Sequence, residues 1–178
     1  MKLTNALILL IITAAIYSCQ HSTKTTGGSM TGTPEQQKEI VAMLDSFNAA
    51  AANADYKTCF NFFTSYAIFT GIDATERWNK KEFMVWAKPY FDKKATWNFT
   101  TLERHIYIDP PGTHAWFDEL MNTQMKICRG SGALAKENNG WKVTQYILSA
   151  TIPNEVMDSV VELKAPIEDK LIRKLQSN

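Results

Sequence analysis

Glu119 and Arg104 are the side chains whose types and positions best fit a chemical role in this sequence. Both lie in stretches that alternate apolar and polar residues, as β-strands do, on either side of the turn Asp109-Pro110-Pro111-Gly112. Because cross-strand neighbours share a face of a sheet, closing this turn places Arg104 opposite Phe117 and sorts Glu119 onto the same face. A carboxylate among apolar groups can act as a general base, although an adjacent arginine favours its charged form and makes it a weaker base.

The face that carries this pair is mostly apolar and has three polar members. We expect Leu102 to lie opposite Glu119, and closing a second turn at 138–139 adds Gln145. The predicted inner face comprises Leu102, Arg104, Ile106, Ala115, Phe117, Glu119, Leu134, Trp141, Val143 and Gln145. A few convergent polar groups in an apolar cavity are typical of a small-molecule site.

Two interpretations of this face remain open. The first is a pocket for a small ligand, with a wall formed by Trp141, Phe117 and Trp78 and with the three polar groups orienting the ligand. The second is a buried structural ion pair between Arg104 and Glu119 that binds nothing.

The opposite face of the same strands is predicted to be rich in large apolar and aromatic groups. It would carry Glu103, His105, Tyr107, Trp116, Asp118, Arg129, Tyr146 and Leu148. An outer face of this kind indicates a partner surface. We therefore expect a homodimer in which Trp116 and Tyr146 are buried only by a second copy of the chain.

Helices precede these strands, and one more follows them. Thr33 with Gln36, and Asn79 with Glu82, form capping boxes at the starts of two helices, and Pro89 should bend or end the second of these. Strands are predicted at 67–69, 97–108, 113–121, 128–136 and 141–152, and helical spacing returns over 154–178. Helices followed by an antiparallel meander indicate an α+β fold.

The N-terminus has the pattern of a lipoprotein export signal. Lys2 precedes an uncharged apolar block, residues 6–17, that is too short to span a bilayer. The block ends in Ile16-Tyr17-Ser18-Cys19, which resembles a bacterial lipobox. We expect the signal to be removed and Cys19 to be lipidated; an uncleaved anchor and an ordinary secretory signal are the alternatives.

This interpretation divides the chain into four segments. They are a signal peptide at 1–18, a flexible tether at 19–33, one domain at 34–155 and a C-terminal helix at 156–178. The tether is poor in aliphatic residues, so it cannot bury enough surface to offset its chain entropy. Gln20 is not an acidic retention signal, which favours the outer membrane of a bacterial cell envelope.

Composition limits the partners. The full chain has 19 basic and 18 acidic residues, so it has no overall field to steer nucleic acid, which we exclude as a partner. No Cys/His cluster has metal-ligand spacing, and we expect no metal and no cofactor. Beyond Cys19, the remaining cysteines are Cys59 and Cys128, which could form a disulfide after export or stay as buried free thiols.

Several runs along the chain resemble the SnoaL-like group of the nuclear-transport-factor-2-like superfamily. They include Phe69-Thr70-Gly71-Ile72-Asp73, Glu76-Arg77-Trp78, Ala115-Trp116-Phe117-Asp118-Glu119, Gly140-Trp141-Lys142-Val143 and Ile152-Pro153-Asn154-Glu155. The resemblance covers roughly residues 34–155. It implies a cone, in which a curved antiparallel sheet wraps around the N-terminal helices and encloses a pocket, often with dimerisation through the sheet.

The resemblance leaves function open, because this fold hosts cyclases, isomerases, dehydratases and binding modules. Position 147 is Ile where related sequences often have His, which removes one candidate proton-transfer group. We favour non-catalytic binding of a small, largely apolar ligand. One alternative is an isomerase or cyclase with Glu119 as base and Arg104 as donor, and another is an interaction module that works through the outer face. Asp73 and Glu76 could approach the rim of the pocket but are interpreted as a local cap.

Overall fold

The computed structural model describes residues 32–177. The predicted signal peptide, Cys19 and nearly all of the tether lie outside this range. The first helix, α1 (Pro34–Ala52), starts where the sequence predicts: the Thr33 side chain accepts from the backbone N–H of Gln36, and the Gln36 side chain accepts from that of Thr33. One stripe of α1 is buried, which fixes its orientation against the sheet.

Two shorter helices follow. Helix α2 (Tyr56–Asn61) is capped by Asp55, and α3 (Lys80–Asp92) begins with the predicted capping box of Asn79 and Glu82. Pro89 does not end α3. The carbonyl that it leaves without a partner belongs to Val85, which is exposed, so water can satisfy it and the helix continues.

A six-stranded sheet forms the rest of the domain. The strands are β1 (Phe63–Thr70), β2 (Arg77–Asn79), β3 (Thr100–Ile108), β4 (His114–Thr123), β5 (Lys126–Glu137) and β6 (Gly140–Ala150). Their spatial order is β2-β1-β6-β5-β4-β3, with β1 parallel to β6 and every other pair antiparallel. The predicted α+β fold, with N-terminal helices on a curved sheet, is confirmed. Strand β2, too short for a periodic pattern, was not predicted.

The pairing of β3 with β4 differs from the expected pairing by two residues. Arg104 lies opposite Glu119 rather than Phe117, and Phe117 lies opposite Ile106. The turn closes further along than expected, because Asp109 N–H donates to the His114 carbonyl and extends the ladder. A shift of two residues leaves every side chain on its predicted face, since the strand period is two.

Two β-bulges overturn other parts of the face assignment. A bulge between Thr101 and Glu103 turns Leu102 outward, where it is 56% exposed, so its place on the inner face was wrong. A second register shift between β5 and β6 gives β6 one extra residue at Thr144. Beyond that point the faces invert, so Gln145 is exposed, whereas Tyr146 and Leu148 are buried on the inner face. Our prediction that Tyr146 and Leu148 face outward was therefore also wrong.

The inner face packs against α1, α2 and α3 in one apolar core. Cys59 and Cys128 are both buried in it as free thiols. The outer face carries Glu103, His105, Tyr107, Trp116, Asp118 and Arg129, as predicted.

The last helix behaves differently from the others. After a 3₁₀ turn (Asn154–Val156), α4 (Met157–Gln176) runs for 20 residues without one buried side chain. Several of its apolar residues are largely exposed: Val161, Leu163, Ile167 and Leu175. Among residues 32–177, no helix is both long and apolar enough to cross a membrane.

Candidate ligand-binding cavity

A cavity of about 200 Å³ opens between the helices and one end of the sheet. Eight of its fifteen lining residues are aromatic. The lining comprises Phe47, Asn48, Phe69, Gly71, Ile72, Glu76, Trp78, Phe83, Trp86, Trp97, Phe99, Gln124, Met125, Tyr146 and Leu148. The aromatic majority makes it a predominantly apolar site with a few polar groups, which is the usual composition of a small-molecule pocket.

The aromatic wall is built by stacking between elements that are distant in sequence. Phe69 of β1 stacks on Phe83 of α3 with ring centroids 4.0 Å apart and planes 8° apart. Trp78 of β2 stacks on Trp86 of α3 at 4.8 Å. The ring of Tyr146 also lies parallel to that of Phe69, with ring centroids 5.7 Å apart. Each ring is held by its neighbours, so the wall is formed without a ligand.

Three lining residues carry polar side chains, namely Asn48, Glu76 and Gln124. Glu76 folds over Gly71, and its Oε2 accepts the backbone N–H of Asp73 at 3.3 Å. Asn48 on α1 and Gln124 in the β4–β5 turn contribute carboxamides to the lining. The predicted local cap is present in Asp73, which binds the backbone N–H and hydroxyl of Thr75, but Glu76 also lines the cavity.

Tyr146 connects the cavity to the buried charges. Its hydroxyl donates to Oε1 of Glu119 at 3.0 Å. Burial, with the negative charge of Glu119 beside it, raises the pKa of Tyr146 well above its ordinary value. The phenol therefore stays protonated and acts as a donor to Glu119 rather than as a base.

Arg104 and Glu119 form an ion pair beneath the wall rather than within the cavity. Oε2 of Glu119 is 2.8 Å from both Nε and Nη2 of Arg104, and Arg104 also donates to Asp45 and Thr101. Burial opposes the charge of Arg104, but Glu119 and Asp45 outweigh it and raise the pKa of the guanidinium. Both oxygens of Glu119 are thus engaged by the protein itself.

Of the six residues predicted to bind a ligand, only Trp78 lines the cavity. Phe117 is buried one layer below, with its ring 5.9 Å from that of Tyr146. Trp141 is buried at the other end of the sheet, where it pairs with Lys136 beside the β5–β6 turn. Gln145 is exposed on the outer face, and Arg104 and Glu119 lie behind Tyr146.

Sequence reasoning missed most of the aromatic wall. Three of the five tryptophans, Trp78, Trp86 and Trp97, fall within one stretch of the chain that ends just before β3. This density was the signal that could have located the cavity, because tryptophans are seldom fully buried and usually border a pocket or an interface. No group of three or more His, Cys, Asp or Glu residues in the described range could hold a metal ion.

A family model for the SnoaL-like domain matches residues 40–153. The chain belongs to the SnoaL-like family. The match spans the sheet and the helices that line the cavity, so the SnoaL-like domain and the cavity coincide in sequence. A search of curated proteins found no match.

Solved structures share the fold of this SnoaL-like domain. An NTF2-like protein of unknown function from Pseudomonas putida KT2440 is 11% identical with a TM-score of 0.59, and covers 70% of this chain and 92% of its own. A cystatin-like-fold domain of unknown function from Nostoc punctiforme PCC 73102 is 13% identical with a TM-score of 0.58, and the match covers 82% of this chain and 99% of that domain. A candidate dehydratase of the NTF2-like family from Streptomyces avermitilis is 14% identical with a TM-score of 0.55, and the match covers 68% of this chain and 100% of that protein. At these identities the likeness shows the fold alone.

Proposed function

We propose that this protein is an exported, lipid-anchored binding module that holds a small, largely apolar molecule in the aromatic cavity without transforming it. The observation that carries the proposal is the preformed stack of rings around a cavity of about 200 Å³. A rigid apolar site avoids the entropy of ordering side chains when a ligand binds, which favours affinity.

The engagement of Glu119 supports binding rather than catalysis. A general base must reach the proton that it removes, within about 3 Å or through one water. Glu119 is 1% exposed, and Tyr146 stands between it and the cavity. Its Oε2 is paired with Arg104, so the isomerase-like alternative has no free base at that position.

Two tryptophans make a matched test of the binding site. Trp86 is 36% exposed and lines the cavity, whereas Trp116 is 39% exposed on the outer face. We expect native mass spectrometry of protein purified from its own host to show a retained ligand, which Trp86→Ala loses and Trp116→Ala keeps. Equal retention in both variants, or turnover of the ligand by the wild type, would contradict the proposal.

The membrane anchor is proposed from the lipobox-like run that ends at Cys19. The tether at 19–33 would hold the domain near the bilayer and leave the cavity free to exchange ligand. Because Cys19 supplies the acceptor thiol, Cys19→Ala should lose all label from a fatty-acid analogue fed to the cells. Persistent label on the variant would contradict lipidation at this site.

An outer-face dimer is the second part of the proposal. Tyr107 and Trp116 stack on adjacent strands with ring centroids 5.8 Å apart, and both lie on the face of the sheet opposite the core. An exposed aromatic pair of this kind on the outer face supports pairing with a second copy through the sheet.

A further inference from the structure

The cavity has one formally charged lining residue among residues 32–177, the carboxylate of Glu76. We propose that the ligand carries a positive charge, as an ammonium or quaternary ammonium group held between Glu76 and the tryptophan rings. This inference rests on the proposed binding function and narrows it to a class of ligand.

The position of Glu76 is a built feature of the cavity. Gly71 and Glu76 both line the cavity, and a Cβ on Gly71 would collide with Oε2 of Glu76. The backbone N–H of Gly71 donates to the Glu76 carbonyl, so the two residues are also joined through the main chain. Glycine at position 71 therefore leaves the space that the carboxylate occupies.

Glu76 has little to neutralise it within the described part of the chain. No lysine or arginine there forms an ion pair with it, and its one side-chain hydrogen bond is the long contact with the N–H of Asp73. An anion beside an apolar wall attracts a cation and repels an anion. A carboxylate or phosphate on the ligand is disfavoured for the same reason.

The aromatic wall fits the same kind of group. Trp78, Trp86 and Trp97 all line the cavity, and indole is the ring that attracts a cation most strongly. Phe69 and Phe99 extend the apolar surface around them, which suits the methyl groups of a quaternary ammonium. Aromatic rings combined with one carboxylate recognise a cation with an apolar surface, whereas a neutral apolar ligand would not use Glu76.

Phenyltrimethylammonium and tert-butylbenzene have the same shape and differ in charge, so comparing their affinities distinguishes a site for a cationic ligand from a site for a neutral apolar ligand. Titrations of the full chain would be followed through the indole ¹⁵N–H signals, in which Trp78, Trp86 and Trp97 report the cavity and Trp116 and Trp141 serve as internal controls. We expect the cation to bind on the order of 10-fold more tightly than the hydrocarbon. Glu76→Gln should remove most of that preference and leave binding of the hydrocarbon unchanged.

Gly71→Ala provides an independent test, because it keeps the charge and displaces the carboxylate. It should weaken binding of the cation several-fold, whereas Glu103→Gln on the outer face should not. Equal affinity for both probes, unaffected by Glu76→Gln, would overturn the cationic ligand while leaving the apolar cavity as the binding site. Absence of any shift at Trp78, Trp86 and Trp97 with either probe would instead overturn the binding function and this inference together.

Discussion

Arg104 and Glu119 stand directly opposite one another on β3 and β4, and Nε of Arg104 donates to Oε2 of Glu119 at 2.8 Å. The arrangement is asymmetric. Arg104 has a second acidic partner in the largely exposed Asp45, whereas Glu119 has no other cationic partner among residues 32–177 and accepts its remaining hydrogen bond from Tyr146. Removing one partner therefore has different consequences from removing the other.

Arg104→Met should cost about 3–5 kcal/mol of unfolding free energy, because it leaves a buried carboxylate without its counter-ion. Glu119→Gln should cost less, about 1–3 kcal/mol, since Asp45 still pairs with Arg104. Urea melts measure both values, and Arg129→Met on the outer face is the control. A larger loss for Glu119→Gln than for Arg104→Met would contradict this account of the pair. Neither variant should abolish ligand binding, because neither residue lines the cavity.

Alkaline pH should destabilise the protein through Tyr146. Burial raises the pKa of this phenol above the ordinary value of about 10, so between these two values the unfolded chain loses a proton that the folded chain keeps. The contribution is complete below about pH 10 and is lost as pH rises further, with a slope of about 1.4 kcal/mol per pH unit. Tyr146→Phe should flatten this slope in urea melts recorded at a series of pH values.

The same Tyr146→Phe variant should also be less stable at neutral pH by about 1–3 kcal/mol, because Glu119 loses a buried donor. Tyr66→Phe is the matched control. Because Tyr66 is exposed, its replacement should change neither the unfolding free energy at neutral pH nor the slope of that free energy with pH. A slope that is identical in wild type and Tyr146→Phe would show that the phenol is hydrated in the folded protein.

The two core thiols should be unreactive in the folded protein. Burial raises the pKa of Cys59 to about 12, so its thiolate is scarce at pH 8, and Cys128 is fully buried. In a Cys19→Ser chain, a thiol-specific reagent should modify neither cysteine natively and both after denaturation. Rapid modification of the native protein would show that the core opens near α2 or β5.

Substitution on the outer face should change association and leave folding intact. Tyr107→Ser with Trp116→Ser should convert a dimer to a monomer while urea unfolding stays cooperative, because both residues lie outside the core. Tyr146→Ser is expected to destabilise the monomer instead, since Tyr146 is buried. Sedimentation velocity measures the association state, and urea melts measure the stability. A wild type that is monomeric at all concentrations would contradict the proposed dimer.

Local sequence signals predicted the elements well, because their causes are local. In the capping boxes that begin with Thr33 and Asn79, hydrogen bonds between the N-cap residue and the residue three positions later fix the start of the helix. The strand faces around Glu119 were also predictable, since an error of two residues in pairing preserves the alternation. A bulge is different: one extra residue at Thr144 exchanged the faces of Gln145 and Tyr146, and no breaker residue marks that position.

The cavity was less predictable because its parts come from the whole domain. Phe47, Trp78, Trp97, Met125 and Tyr146 have no common period, and only the sheet order brings them together. The prediction placed the site at convergent polar groups on adjacent strands. In the structure, those groups satisfy one another, and the cavity lies beyond them at the end of the sheet, where aromatic side chains outnumber polar ones.

The parallel pairing of β1 with β6 has a consequence for how the chain is made. Phe69 lies beside Tyr146, so β1, which is synthesised first of the strands, cannot pair with its neighbour until β6, the last strand, has been synthesised. Until β6 is available, β1 and the short β2 are not joined to the rest of the sheet, and Phe69 lacks the neighbouring ring of Tyr146. A chain that lacks the final strand therefore leaves one edge of β1 unpaired, and an unpaired strand edge of this kind is prone to aggregation until β6 is available.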